Sequence, residues 1–118
     1  MRKQSTINQR KHHPIMTTDE YQKQALTTAM PTSMNIYYMT LGLAGEAGEV
    51  ANKVKKLMRD NREANKDELA AELGDVLWYV AGCASVLGLS LEDIAAANLA
   101  KLKSRKERNA ITGSGDNR

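Results

Sequence analysis

The chain has 118 residues, which is the size of a single domain. Aromatic residues make up only 4% of it and Phe is absent, whereas the helix formers Ala, Leu, Lys and Glu dominate. Because the strands of a sandwich or barrel are normally rich in aromatic side chains, we expect an all-α fold. The formal net charge of +3 comes partly from the two ends. Without interleaved aromatic residues, this charge does not indicate nucleic-acid binding.

The sequence also bears on the compartment. No run approaches the roughly 20 apolar residues that cross a bilayer, and the basic start lacks the apolar segment of a secretory signal. The single cysteine, Cys83, cannot form an internal disulfide, which fits a reducing environment. We therefore expect a cytoplasmic protein with no membrane partner.

Residues 1–15 have no periodicity and are predicted to be a flexible basic leader. The first helix is expected to be capped by Thr17 or Thr18 and to run to about Met30, where Pro31 stops it. Three further helices are predicted from their apolar periods and end signals: from near Ser33 to about Asp60, from around Lys66 to a left-handed cap at Gly88, and from Ser90 as N-cap to between Lys106 and Asn109. The expected architecture is a four-helix bundle over residues 16–111, followed by a tail at 112–118.

Charged residues interrupt the apolar stripe of the second helix. Glu46 occupies a position that the helical period assigns to a hydrophobic residue. Glu49, Lys53 and Lys56 continue from it at steps of three, four and three, so these four side chains face nearly the same way. On the third helix, Glu72, Asp75 and Tyr79 follow one edge of the stripe in the same manner.

If the second and third helices pack antiparallel, the four carboxylates Glu46, Glu49, Glu72 and Asp75 meet at mid-helix. Their mutual repulsion would be relieved by a hard divalent cation with oxygen ligands, which favours Mg²⁺, with Mn²⁺ as a substitute. Zinc and di-iron sites need Cys or His ligands, and both His residues lie in the leader. The alternatives are a solvated acidic face, or a Glu46 paired with a buried lysine.

The fourth helix carries a further polar intruder. Asn98 lies in the apolar stripe of this helix, and Lys101 and Arg105 follow it at steps of three and four. All three are candidates to bind a sugar or phosphate, as are Lys53, Lys56 and Tyr79. A solvated basic helix end that complements the helix dipole is the competing interpretation for Lys101 and Arg105.

Two segments resemble the MazG family of nucleotide pyrophosphohydrolases, which belongs to the all-α NTP pyrophosphatase group. They are Leu41-Gly-Leu-Ala-Gly-Glu46-Ala-Gly-Glu49-Val and Glu68-Leu-Ala-Ala-Glu72-Leu-Gly-Asp75-Val-Leu-Trp78-Tyr79. The family signature is E-x-x-E, a variable spacer, then E-x-x-D. The resemblance implies that the four carboxylates hold metal ions and that the protein forms dimers or dimers of dimers. One departure concerns Gly45, where many members carry a further Glu.

The resemblance also implies the reaction, which is hydrolysis of a (deoxy)nucleoside triphosphate to the monophosphate and pyrophosphate. Glu46 or Glu49 is the candidate for activating water, and a purine substrate such as dGTP is the preferred interpretation. The alternatives are a relative that cleaves dUTP, dCTP or phosphoribosyl-ATP, and a non-enzymatic helical interaction module.

Overall fold

Four α-helices and no strand make up the part of the chain that the computed structural model describes, residues 15–109. They are α1 (Thr18–Leu26), α2 (Ile36–Arg59), α3 (Lys66–Val86) and α4 (Leu91–Glu107), with a 3₁₀ turn at Pro31–Ser33. The predicted all-α class is confirmed. The predicted leader, apart from Ile15, and the predicted C-terminal tail lie outside the described residues.

Each helix begins at a polar side chain that accepts a hydrogen bond from a backbone N–H of the first turn. The predicted caps Thr17 and Ser90 are confirmed, and Glu20 completes a capping box with Thr17. Helix α2 begins later than predicted because Pro31–Ser33 forms the 3₁₀ turn and Asn35 is the cap, accepting from the N–H of Tyr38 at 2.8 Å.

The predicted end of α1 near Met30 was wrong. The helix ends at Leu26, and the hydroxyls of Thr27 and Thr28 donate to backbone carbonyls of its last turn at 2.6 Å each. Such side-chain bonds to the backbone compete with continuation of a helix. The left-handed position predicted at Gly88 is confirmed by its φ of 70°.

Helices α2 and α3 form the main antiparallel pair, and α1 packs across α3. Met39 of α2 is fully buried where Gly82 of α3 leaves room for its side chain. The indole N–H of Trp78 attaches α3 to α1 by donating to the carbonyl of Ala25 at 3.1 Å and to the hydroxyl of Thr28 at 3.0 Å. The antiparallel pair of α2 and α3 carries the residues of the candidate site.

Helix α4 is attached chiefly through its first turn. Gln22 of α1 accepts from the N–H of Leu91 at 2.9 Å, and Leu91 packs against Ala81 and Ala84 of α3. The predicted stripe of α4 is partly exposed beyond Leu91: Ile94 and Leu102 are 38% and 41% exposed. Within the described residues, Leu91 is the one member of this stripe that is buried.

Helix α3 has 21 residues, and a stretch of 18 within it has a mean hydropathy of 1.3. By length and composition alone this helix would be able to cross a membrane, although Glu72 and Asp75 keep it from being a continuous run of about 20 apolar residues. Only 17% of the stretch is buried within the chain.

Candidate metal centre

Three of the four predicted carboxylates converge between α2 and α3. One oxygen from each of Glu46, Glu72 and Asp75 lies within 4.8 Å of the others. Glu46 and Glu72 are half-buried and Asp75 is exposed, so the cluster opens toward solvent on one side. The antiparallel pairing brings the three together at mid-helix, as the helical periods of the two segments predicted.

The charges of the cluster change the pKa of Glu46. Partial burial and the charges of Asp75, Glu72 and Glu49 raise the pKa of Glu46, and the nearby carboxyl of Glu72 adds to this by favouring a shared proton. Without a cation, Glu46 thus resists ionisation. Glu46 occupies the position that the apolar stripe assigns to a hydrophobic residue, and its ionised form is unfavourable there unless a positive charge lies nearby.

Glu49 does not belong to the three-oxygen cluster. Its side chain is exposed, one turn after Glu46, and it acts on Glu46 only through its charge. A spacing of three residues turns a helical side chain by about 60°, which is enough to point it along the surface. The structure therefore brings together three of the four residues that were predicted as metal ligands.

The donor set fits a hard divalent cation. Carboxylate oxygens are the protein ligands of Mg²⁺, and oxygens bound to one octahedral ion at about 2.1 Å lie about 3 to 4.2 Å apart. The three oxygens already lie within 4.8 Å of one another, so that spacing needs at most a small side-chain adjustment. A cation at this point would also remove the repulsion that disfavours ionised Glu46.

Lys53 lies beside the cluster and is bound to it. Its ammonium group is 2.8 Å from Glu72 and 3.1 Å from Glu68. These two bonds, that to Glu72 first, raise the pKa of Lys53, so its side chain is charged. The alternative interpretation paired Glu46 with a lysine, but the lysine, Lys53, pairs with Glu72 instead. Lys53, predicted to bind substrate, has carboxylate partners in this structure.

Aromatic side chains form the other end of the site. An open hollow of about 320 Å³ is lined by Glu46, Asp75, Trp78 and Tyr79. Tyr79 lies near Tyr38, with ring centres 6.4 Å apart, and desolvation followed by the influence of Tyr38 raises the pKa of Tyr79. The ring of Tyr79 packs directly over Gly42, because a β-carbon there would overlap it.

At the opposite end of the helix pair, toward the α2–α3 loop, there is a hollow of about 100 Å³ that we call the basic hollow. Seven residues line it: Lys53, Lys56, Leu57, Arg62, Asn65, Glu68 and Leu69. Lys56, predicted to bind substrate, is exposed here. Aromatic, acidic and basic groups therefore follow one another along α2 and α3.

The predicted α4 residues are not part of this arrangement. Asn98 and Lys101 are exposed, while Arg105 is only 4% exposed. None of the three lines either hollow, and α4 packs mainly against α1. Within the described part of the chain, these three residues therefore lie away from the hollows in which a phosphate would bind.

The prediction overlooked Glu68 and Arg62. Glu68 holds Lys53, and Arg62 lines the basic hollow. Glu68 had a visible signal, because it precedes Glu72, Asp75 and Tyr79 on the same edge of α3 at steps of four, three and four. Arg62 had none, because it lies in a loop where no period applies.

The described residues form an all-helical fold with a cluster of three carboxylates between two antiparallel helices. Residues 35–109 match the model of the MazG nucleotide pyrophosphohydrolase domain, and the chain belongs to this family. The match includes α2, α3 and α4, and thus every carboxylate of the centre.

The chain is similar to two curated proteins. It is 48% identical over 114 residues to Gene 37 protein of Mycobacterium phage L5, covering 87% of this chain and 100% of that protein. It is 39% identical over 74 residues to Uncharacterized protein YvdC of Bacillus subtilis (strain 168), covering 55% of this chain and 70% of that protein. No solved structure matches at a significant level.

Proposed function

We propose that the protein is a Mg²⁺-dependent enzyme that hydrolyses (deoxy)nucleoside triphosphates to the monophosphate and pyrophosphate, with Mn²⁺ as a substitute metal. One observation carries the proposal: Glu46, Glu72 and Asp75 bring oxygens within 4.8 Å of one another inside the span that matches the family. A bound Mg²⁺ would stabilise the charge that develops on phosphoryl oxygens during attack by water.

The order of chemical groups along the helix pair supports a nucleotide substrate. The hollow beside Trp78 and Tyr79 suits a base, because rings of this kind stack on aromatic faces. The carboxylates come next, and Lys56 and Arg62 of the basic hollow follow. A triphosphate that lies along α2 and α3 in this order has its α-phosphorus at the carboxylates and its leaving pyrophosphate near cations. Tyr79 is a candidate to donate its hydroxyl to the phosphate next to the sugar.

The division of work among the carboxylates follows from their positions. Glu46, Glu72 and Asp75 are the proposed metal ligands because they share one cluster. Glu49 is exposed and one turn away, so it is our candidate for orienting the attacking water. Because position 45 is a glycine, no carboxylate is present there to take this role.

The test measures pyrophosphate release from the eight common (d)NTPs with and without Mg²⁺ or Mn²⁺. Activity should require the metal, and Glu46→Gln, Glu72→Gln and Asp75→Asn should each lower it at least about a hundredfold, the scale of losing one preorganised charge contact. The matched control is Glu107→Gln on the exposed end of α4, which should leave activity unchanged. Silence on all eight nucleotides would favour the non-enzymatic helical module and sink the proposal.

The same assay separates the roles of Glu49 and of the cluster. Glu49→Gln should lower the rate at saturating metal while leaving the metal concentration for half-maximal activity unchanged. Cluster variants should shift that concentration upward. A Glu49 variant with weakened metal binding and a normal maximal rate would contradict the assigned role.

We propose a purine deoxynucleotide such as dGTP as the preferred substrate, since the hollow that the described residues form beside the carboxylates is open and would accept a large base. Relatives in the same superfamily that act on dUTP, dCTP or phosphoribosyl-ATP define the competing outcome. Comparison of kcat/KM across the eight nucleotides and phosphoribosyl-ATP decides it.

We also propose that a second copy of the chain covers the apolar sides of α2 and α3. Large apolar side chains on both helices are exposed, among them Leu41 at 74%, Met58 at 79% and Leu73 at 56%, and exposed apolar patches are typical of interaction surfaces. A membrane is a poorer partner, because α3 would carry Glu72 and Asp75 into it. The assembly would be a dimer or a dimer of dimers in the cytoplasm.

Light scattering after size exclusion tests this assembly. Met58→Glu places a charge on the apolar side, away from the carboxylates, and should shift the protein toward monomer. Leu99→Glu, also on an exposed apolar residue but on α4, is the comparison. A wild-type protein that is monomeric at micromolar concentration would contradict the proposal.

A further inference from the structure

Lys53 stands between the carboxylate cluster and the basic hollow. Its ammonium group is 2.8 Å from Glu72 Oε1 and 3.1 Å from Glu68 Oε1, and Glu72 is also one of the three clustered carboxylates. The same lysine lines the basic hollow together with Lys56 and Arg62. One side chain therefore belongs to both parts of the site.

This position conflicts with a cation on Glu72. A Mg²⁺ ion binds a carboxylate oxygen at about 2.1 Å. Because 2.8 Å separates Lys53 Nζ from Glu72 Oε1, an ion on that oxygen would lie within about 5 Å of the nitrogen. Repulsion between charges of +2 and +1 at that distance weakens binding of the ion roughly tenfold even in the dielectric of water. The lysine and the ion therefore compete for Glu72.

We propose that Lys53 is the internal counter-ion of the metal-free site, and that it leaves Glu72 when a divalent cation binds there. This inference rests on the proposed function, because it requires that the carboxylates bind such a cation. Glu68 is not part of the cluster, so it keeps Lys53 at the wall of the basic hollow after the exchange. The released ammonium group then faces the place assigned to the phosphates. Binding of the cation and completion of the phosphate subsite are coupled through one side chain.

The test compares Mn²⁺ affinity, by electron paramagnetic resonance of the free ion at low ionic strength, among variants of the whole chain. Lys53→Met removes the competing charge and keeps the aliphatic stem, and it should bind Mn²⁺ roughly tenfold more tightly than wild type. Lys53→Arg keeps a cation, and Lys55→Met removes an exposed charge two residues further along α2. Both should stay within about twofold of wild type. Equal or weaker binding by Lys53→Met would overturn the proposal.

Thermal unfolding followed by circular dichroism gives a second readout that does not depend on activity. In EDTA, Lys53→Met should unfold at a lower temperature than wild type, because Glu72 loses its counter-ion. Saturating Mn²⁺ should remove most of that difference. A loss of the same size with and without Mn²⁺ would show that Lys53 stays on Glu72, and would overturn the proposal.

The two proposals fail in different ways. If wild type binds no Mn²⁺, or if Glu72→Gln binds it equally well, the proposed metal centre falls and the counter-ion role falls with it. If wild type binds Mn²⁺ and depends on Glu72, but Lys53→Met changes neither affinity nor the effect of the metal on unfolding, only the counter-ion role is refuted.

Discussion

Gly42 and Gly45 lie one turn apart in α2 and differ in what faces them. A β-carbon built on Gly42 would overlap the ring of Tyr79, whereas nothing lies within 4 Å of one built on Gly45. Replacing Gly by Ala inside a helix stabilises that helix by up to about 1 kcal/mol. The two substitutions therefore share the same local gain and differ only in the cost of moving Tyr79.

The expected magnitudes follow directly. Gly45→Ala should raise the free energy of unfolding by about 0.5–1 kcal/mol. Gly42→Ala has the same gain but must displace the ring, and overpacking of this kind costs about 1–3 kcal/mol. The two variants should thus differ by about 1–3 kcal/mol, where each kcal/mol moves the unfolding temperature by about 4–8 °C in a domain of this size.

Urea unfolding monitored by circular dichroism measures this difference, with EDTA present and at one protein concentration, because assembly would add to apparent stability. The double variant Gly42→Ala with Tyr79→Leu supplies the control. Removing part of the ring should recover much of the loss, so the two effects should not add. Equal stability of Gly42→Ala and Gly45→Ala, or simple additivity in the double variant, would contradict the predicted overlap with Tyr79.

Three further predictions concern single residues. The pKa of Glu46 is raised in the folded chain, so the wild type loses stability as the pH rises through that pKa. Glu46→Gln should therefore raise the unfolding temperature in EDTA at pH 7. This advantage should disappear below the ordinary carboxyl pKa of 4.5, and its persistence there would contradict the prediction. Trp78→Phe removes the indole bonds to Ala25 and Thr28 and should cost about 1–2 kcal/mol in urea unfolding, and an unchanged midpoint would show that these bonds contribute nothing. Asn35→Ala should cost about 1 kcal/mol, while Asn35→Asp, which keeps an acceptor for the first turn of α2, should lie near wild type in the same experiment.

The beginnings of α1 and α4 were predictable because a cap is a local device. Thr17 and Ser90 each accept a hydrogen bond from a residue three positions on, so a short stretch of sequence contains the whole interaction. The end of α1 was not predicted, although its cause is equally local. Thr27 and Thr28 break no apolar period, and only the directions of their hydroxyl groups show that they bond the last turn.

The meeting of Glu46 with Glu72 and Asp75 was predictable because one assumption, that α2 and α3 pack antiparallel, fixes it. The position of Glu49 outside the cluster was not predictable, because the helical period does not show which residues beside the stripe the neighbouring helix contacts. The docking of α4 was harder still. It depends on a few long-range contacts near Leu91, and the apolar period of α4 alone names no partner.

Four of the contacts between α2 and α3 share one register, because the residue numbers of the two partners add to the same total in each. The pairs are Met39 with Gly82, Gly42 with Tyr79, Glu46 with Asp75, and Lys53 with Glu68. All four depend on one register, so a residue inserted between these positions in either helix would rotate the carboxylates by about 100° relative to the packing pairs. A residue inserted between Asp60 and Asn65 falls outside both helices and can be absorbed by the loop. A change in the length of that loop therefore leaves the register of the helix pair intact, whereas a change within either helix does not.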